Sequence, residues 1–172
     1  MAEANKPNID QADLDALEIQ LGRPARDVYR IAYRCACGNP AVVETPPRLS
    51  DGTPFPTFYY ATCPNLTSAI STLENSDLMD QMNLRLAKEP ELAGEYHAAH
   101  EDYIAARSAL GVDVSEITDI SAGGMPDRVK CLHSLIAHSL AAGEGVNPLG
   151  DEALSLLPEW WRNGNCLERR QQ

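Results

Sequence analysis

Residues 28–63 read VYRIAYRCACGNPAVVETPPRLSDGTPFPTFYYATC, and their periodicity decides the fold. From Val28 the apolar residues recur every second position: Tyr29, Ile31 and Tyr33 alternate with Arg30 and Arg34, as on a half-buried strand. CACGNP follows as a turn, AVVET as a second strand, and PPRLSDGTPFP as a longer turn around Asp51-Gly52. TFYYATC, aromatic and β-branched, makes a third strand that stops before Pro64. Short connections favour antiparallel neighbours, so this stretch is expected to form a three-stranded meander. In such a meander the ends of the first and third strands lie at one edge of the sheet. Cys35 closes the first strand, Cys63 closes the third, and Cys37 sits in the first turn. Three thiols distant in sequence are thereby expected at one place.

Outward from the sheet the period changes to that of helices. Residues 10–21 carry Leu14, Leu17 and Leu21 at spacings of three and four before Gly22 stops the run. Residues 66–88 read as one or two helices, broken near Asn75-Ser76. Pro90 opens a long helix to about Leu110, with a stripe of Leu92, Tyr96, Ala99, Tyr103, Ala106 and Leu110. A loop ending SAGGMP precedes a helix expected to start at Pro126, and Asn147-Pro148 caps a last short one. The expected class is α+β: a small three-stranded antiparallel sheet over about 28–63, with about five helices on one face. One domain spans 1–172, its core covering about 20–157. The helix at 10–21 and the tail from 158 to 172 are expected to be peripheral.

Composition narrows the function classes. The chain has 172 residues, with 14 Lys and Arg against 25 Asp and Glu, a formal charge of −11. That balance excludes a general nucleic-acid binder, which needs cations against phosphates. No apolar run reaches the roughly 20 residues of a membrane span, and no secretory leader is read at the start. A cytoplasmic protein without membrane contact is the expectation. The charge is uneven: residues 74–119 hold 11 acidic and three basic side chains, whereas residues 23–73 hold three acidic and five basic ones. Those five, Arg23, Arg26, Arg30, Arg34 and Arg48, are placed to draw a small anionic ligand toward segment 23–48.

Several stretches together resemble one family: RCACGNPAVV (34–43), LSDGTPFPTFYYATCP (49–64), AHEDY (99–103), GGMPDRVKCLH (123–133) and GVNPLGDEAL (145–154). The combination is similar to the DUF501 family of bacterial proteins, common in actinobacteria, over roughly residues 20–157. The resemblance implies no activity, substrate or cofactor, because the family is defined without one.

The chemistry therefore has to be read from the residues. Five cysteines, an odd number, in a chain read as cytoplasmic point to metal binding or catalysis rather than a disulfide framework. The expected metal ligands are Cys35, Cys37 and Cys63 from the meander, with Cys131 and either His133 or His138 from the later helix. Zinc is preferred, and an iron–sulfur cluster is the alternative. Seven residues apart, Cys131 and His138 share a helix face, whereas Cys131 and His133 can act together only at a first turn; both choices stay open. Gly123 and Gly124, followed by Arg128 and Lys130, read as an anion seat at a helix start. His97 and His100 in HAAHE are spaced i and i+3, without the HExxH of a metalloprotease helix, and no G-x-S-x-G elbow occurs. Three readings follow: a protein with a Cys/His metal site at the sheet edge, an enzyme with an open metal or cluster site acting on a small anion, or an interaction module without catalysis.

Overall fold

The computed structural model describes residues 9–168. The expected meander is present: β1 (Arg30–Arg34), β2 (Pro40–Glu44) and β3 (Tyr59–Ala61) form an antiparallel sheet with β2 in the centre. Every residue of β2 is buried, because both of its faces are covered. Strict alternation fails in β1. Its register shifts on both sides of Tyr33, so Ile31 pairs with Val43 while Tyr33 pairs with Val42. A bulge of this kind re-aims side chains, and Ile31 and Tyr33 serve different cores.

Six α-helices are found among the described residues: α1 (Gln11–Leu21), α2 (Pro64–Glu74), α3 (Leu78–Lys88), α4 (Pro90–Ser108), α5 (Leu132–Ala142) and α6 (Pro148–Ser155). α1 begins with a capping box, in which Asp10 accepts from the Asp13 amide at 2.9 Å and Asp13 accepts from the Asp10 amide at 3.3 Å. It ends at Gly22 in a left-handed conformation, φ 71°. The helices do not all lie on one face. α1 seals one side by packing Leu17 on Ile31 and Val43, and the remaining helices build the main core on the other. The tail also differs from its expected place. Trp160 and Cys166 belong to the main core, the latter fully buried.

α4 supplies the polar fastenings of this core. Tyr103 Oη accepts from the amides of Phe58 (2.6 Å) and Tyr59 (3.2 Å), fixing the start of β3. The buried stripe of α4 includes His100 and Arg107 beside the expected Leu92, Tyr96, Ala99 and Tyr103. His100 bonds Ser121 at 2.8 Å, and His97 stays exposed, 3.7 Å from Glu101.

The helix expected from Pro126 begins instead at Leu132. Residues 122–131 form an irregular loop with a cis Met125–Pro126 peptide. Gly123 and Gly124 have φ of 68° and 94°, and their carbonyls accept from the amides of Lys130 (2.7 Å) and Arg128 (3.1 Å). A Cβ at Gly124 would lie 2.6 Å from the Arg128 carbonyl oxygen. The two glycines thus allow the loop to fold on itself. They stand well before the α5 N-terminus, so Gly123, Gly124, Arg128 and Lys130 are not at a helix start as expected.

His138 is placed in the core. It is fully buried, stacked on Tyr59 at 5.7 Å and met edge-on by Tyr103 at 5.2 Å. Its Nε2 donates to Asp102 at 2.9 Å and its Nδ1 accepts from Asn147 at 3.2 Å. Burial holds its pKa below the usual histidine value, with Asp102 opposing. Below about pH 6.5 the unfolded chain takes a proton that the native state refuses, so stability falls as pH falls. Between about pH 7.5 and about pH 5.5 the wild type is expected to lose stability through this group. In His138→Gln the acid loss, read from urea midpoints, is expected to shrink; an unchanged loss would assign it elsewhere.

Candidate metal centre

The candidate ligands separate into two groups. The first gathers where α2 ends and α5 begins. Cys131 is the extended residue that precedes α5, His133 is the second residue of that helix, and Glu74 is the last residue of α2. Glu74 Oε1 accepts from the Leu132 amide at 2.7 Å, which anchors the carboxylate to the α5 N-terminus. The same oxygen lies 3.1 Å from His133 Nδ1. On the opposite side of the ring, Nε2 meets the Thr67 carbonyl at 3.3 Å and the Ser71 hydroxyl at 3.4 Å. Donation from Nε2–H to that carbonyl leaves the Nδ1 lone pair turned toward the carboxylate. This is the tautomer and orientation in which metal-ligating histidines are held. One ligand atom each from Glu74, Cys131 and His133 lies within 4.8 Å of the others, close enough to hold one metal ion.

The electrostatics of this group are mutual. Hydrogen bonding to Cys131 raises the His133 pKa to about 9, with burial opposing and Glu74 assisting. Burial raises the Cys131 thiol, but hydrogen bonds from His133 and Ser134 outweigh it and leave the thiol below its ordinary range. Without metal, the imidazole is protonated on both nitrogens near neutral pH and its Nδ1–H faces the Glu74 carboxylate; a bound metal would take the place of that proton. All three residues are partly exposed, and Cys131 and His133 line a cleft of about 510 Å³ at the free edge of β3. Gln20, Arg23 and Thr62 complete its polar wall. Gln20 Oε1 and Thr62 Oγ1 are buried without a hydrogen-bond partner. Three other arginines of the basic segment are paired elsewhere: Arg30 with Glu44, Arg34 with Asp13 and Arg48 with Glu116.

The second group lies at the sheet edge that the meander specifies. Cys35, Cys37 and Cys63 meet there, but their fourth neighbour is Cys166 rather than Cys131. Cys37 Sγ is 3.5 Å from Cys166 Sγ. Cys35 interacts electrostatically with Cys37 and Cys166, and Cys63 with Cys166 and Cys35. Hydrogen bonding pushes Cys63 up and Cys166 down, since one thiol of such a pair donates to the other. His138 joins neither group.

A family model described as a protein of unknown function (DUF501) matches residues 31–155. The chain belongs to the DUF501 family. Comparison with curated proteins found no match, and comparison with solved structures found none. The DUF501 match runs from β1 to the last residue of α6, and so contains Glu74, Cys131, His133, Cys35, Cys37 and Cys63. Cys166 and Gln20 lie outside it. Among the described residues no helix is long and apolar enough to cross a membrane. Two members of these groups escape a reading of the sequence. Glu74 ends α2 with nothing to distinguish it from the many other acidic residues of the chain. Cys166 stands in a polar tail, and its only signal is that the cysteine count is odd.

Proposed function

We propose that this DUF501 protein is a zinc enzyme of the hydrolytic kind, with Glu74, Cys131 and His133 as its protein ligands. The observation that carries the reading is the convergence of one carboxylate, one thiol and one imidazole, the last two on the wall of an open cleft. Zinc held by three protein ligands keeps a fourth position for water, whose pKa it lowers toward neutrality. The residues of the chain do the rest. The Thr67 carbonyl and Leu132 amide fix the ligands from behind. Arg23 brings positive charge to the cleft. A small anionic ester or phosphoester suits this wall.

The test uses the full-length protein with zinc alone, followed by bis(p-nitrophenyl) phosphate as a probe. His133→Ala is expected to weaken zinc binding at this centre by at least about 100-fold and to abolish zinc-dependent turnover. Zinc is also expected to slow alkylation of Cys131 by iodoacetamide, followed by mass spectrometry. Equal zinc stoichiometry in wild type and His133→Ala, or alkylation of Cys131 unchanged by zinc, would overturn the reading.

A further inference from the structure

We propose that Cys35, Cys37, Cys63 and Cys166 bind a second zinc ion, as a closed four-thiolate site that ties the tail of the chain to the edge of the sheet. This second site shares no residue with the cleft centre.

The four side chains come from four separate places: the end of β1, the β1–β2 turn, the residue before α2, and the tail. Cys35, Cys63 and Cys166 are at most 5 % exposed. Buried free cysteines often serve as small hydrophobes, and in that case their surroundings are apolar. Here polar groups also reach two of the sulfurs, Cys37 and Cys166. Gln20, 2 % exposed, donates Nε2–H to Cys166 Sγ at 3.3 Å and to the Pro40 carbonyl at 2.8 Å. Asn39 Nδ2 lies 3.4 Å from Cys37 Sγ and 3.7 Å from Cys166 Sγ. N–H groups aimed at sulfur are the outer shell of thiolates that ligate a metal.

The turn is built for the same purpose. The Cys35 amide donates to the Asn39 carbonyl at 2.9 Å, and the Gly38 amide to the Cys35 carbonyl at 2.8 Å. Gly38, φ 87°, lets the chain reverse while both thiols stay on the inside.

The Cys37–Cys166 spacing fits two ligands of one ion. Tetrahedral Zn–S bonds of about 2.3 Å set sulfurs roughly 3.8 Å apart. The 3.5 Å between Cys37 and Cys166 is close to that, and much longer than the roughly 2.05 Å of a disulfide. A divalent ion would take the place of the thiol protons, which leave to solvent as zinc enters.

The experiment counts zinc in full-length protein purified without oxygen. Wild type is expected to carry two equivalents, and His133→Ala and Cys166→Ser one each. Cobalt loaded into His133→Ala is expected to show the red visible absorption and intense near-ultraviolet sulfur-to-metal band of a tetrahedral thiolate site. Should Cys166→Ser fail to fold, the His133→Ala protein still decides: a mercurial titration is expected to release its ion as four thiols react. Equal zinc in wild type and Cys166→Ser, iron in place of zinc, or a Cys37–Cys166 disulfide in the intact mass would overturn the proposal. If His133→Ala retains two equivalents while Cys166→Ser loses one, the cleft reading fails and the four-thiolate site stands. If Cys166→Ser retains two while His133→Ala loses one, the four-thiolate site fails and the cleft reading stands.

Discussion

Gly150→Ala is expected to destabilise the protein by about 2–4 kcal/mol, although alanine normally strengthens a helix by up to about 1 kcal/mol over glycine. Gly150 is the third residue of α6, and its amide donates to Asn147 Oδ1 at 2.9 Å. Its φ is ordinary, so backbone freedom does not explain the glycine. Contact does. A Cβ there would overlap the Leu135 carbonyl oxygen and Ser139 Oγ, and would lie 3.0 Å from the Leu135 carbonyl carbon. Leu135 is inside α5, where its carbonyl cannot retreat without breaking that helix. The only relief is to push α6 outward, which pulls the fully buried Leu149 and Ala153 from the core. Urea unfolding measures the effect, and stability equal to or above wild type would refute the packing argument. Because α5 carries His133 at its N-terminal end, the same variant is expected to loosen the cleft centre.

Arg107→Met is expected to cost still more, about 3–5 kcal/mol. Arg107 is 1 % exposed. Nη1 donates to the carbonyls of Pro56 at 3.1 Å and Ile120 at 2.5 Å, and Nη2 to that of Ile117 at 2.7 Å. Burial lowers its pKa, but a guanidinium stays charged throughout the working range. One planar fork thus serves carbonyls on two separate chain segments, the turn before β3 and residues 117–120. Methionine fills the volume and strands three carbonyls. Lysine keeps the charge without the fork, so Arg107→Lys is expected to recover only part of the loss. Thermal unfolding and amide exchange at residues 117–121 report it. A Tm within a few degrees of wild type for Arg107→Met would show that water replaces the guanidinium without penalty.

How much was legible follows from the same physics. Strand and helix periods are local, so the meander, α1, α4 and the break between α2 and α3 can all be read along the chain. The meeting of Cys35, Cys37 and Cys63 was legible as well, because antiparallel topology alone brings their positions together. Pro126 misled for an equally local reason. Proline is favoured in a first helical turn, but here it belongs to a loop that closes on Gly123 and Gly124, and the helix waits for Leu132. Glu74 and Cys166 were out of reach because nothing near either of them in sequence records its partner. Arg107 stood beside the apolar stripe of α4 without a sign of burial, since its carbonyl partners lie on other segments.

The bond between Gln20 and Cys166 also orders events in time. Gln20 belongs to the first helix, and Cys166 is synthesised after all the other cysteines. During synthesis the sheet edge can form while its last thiol is still missing, which leaves Cys35, Cys37 and Cys63 open to water and to metal carriers. Closure by the tail removes those sulfurs from solvent in one late step. At the proposed four-thiolate site, delivery of an ion and completion of the fold would then be the same event, and exchange afterwards would require the tail to open.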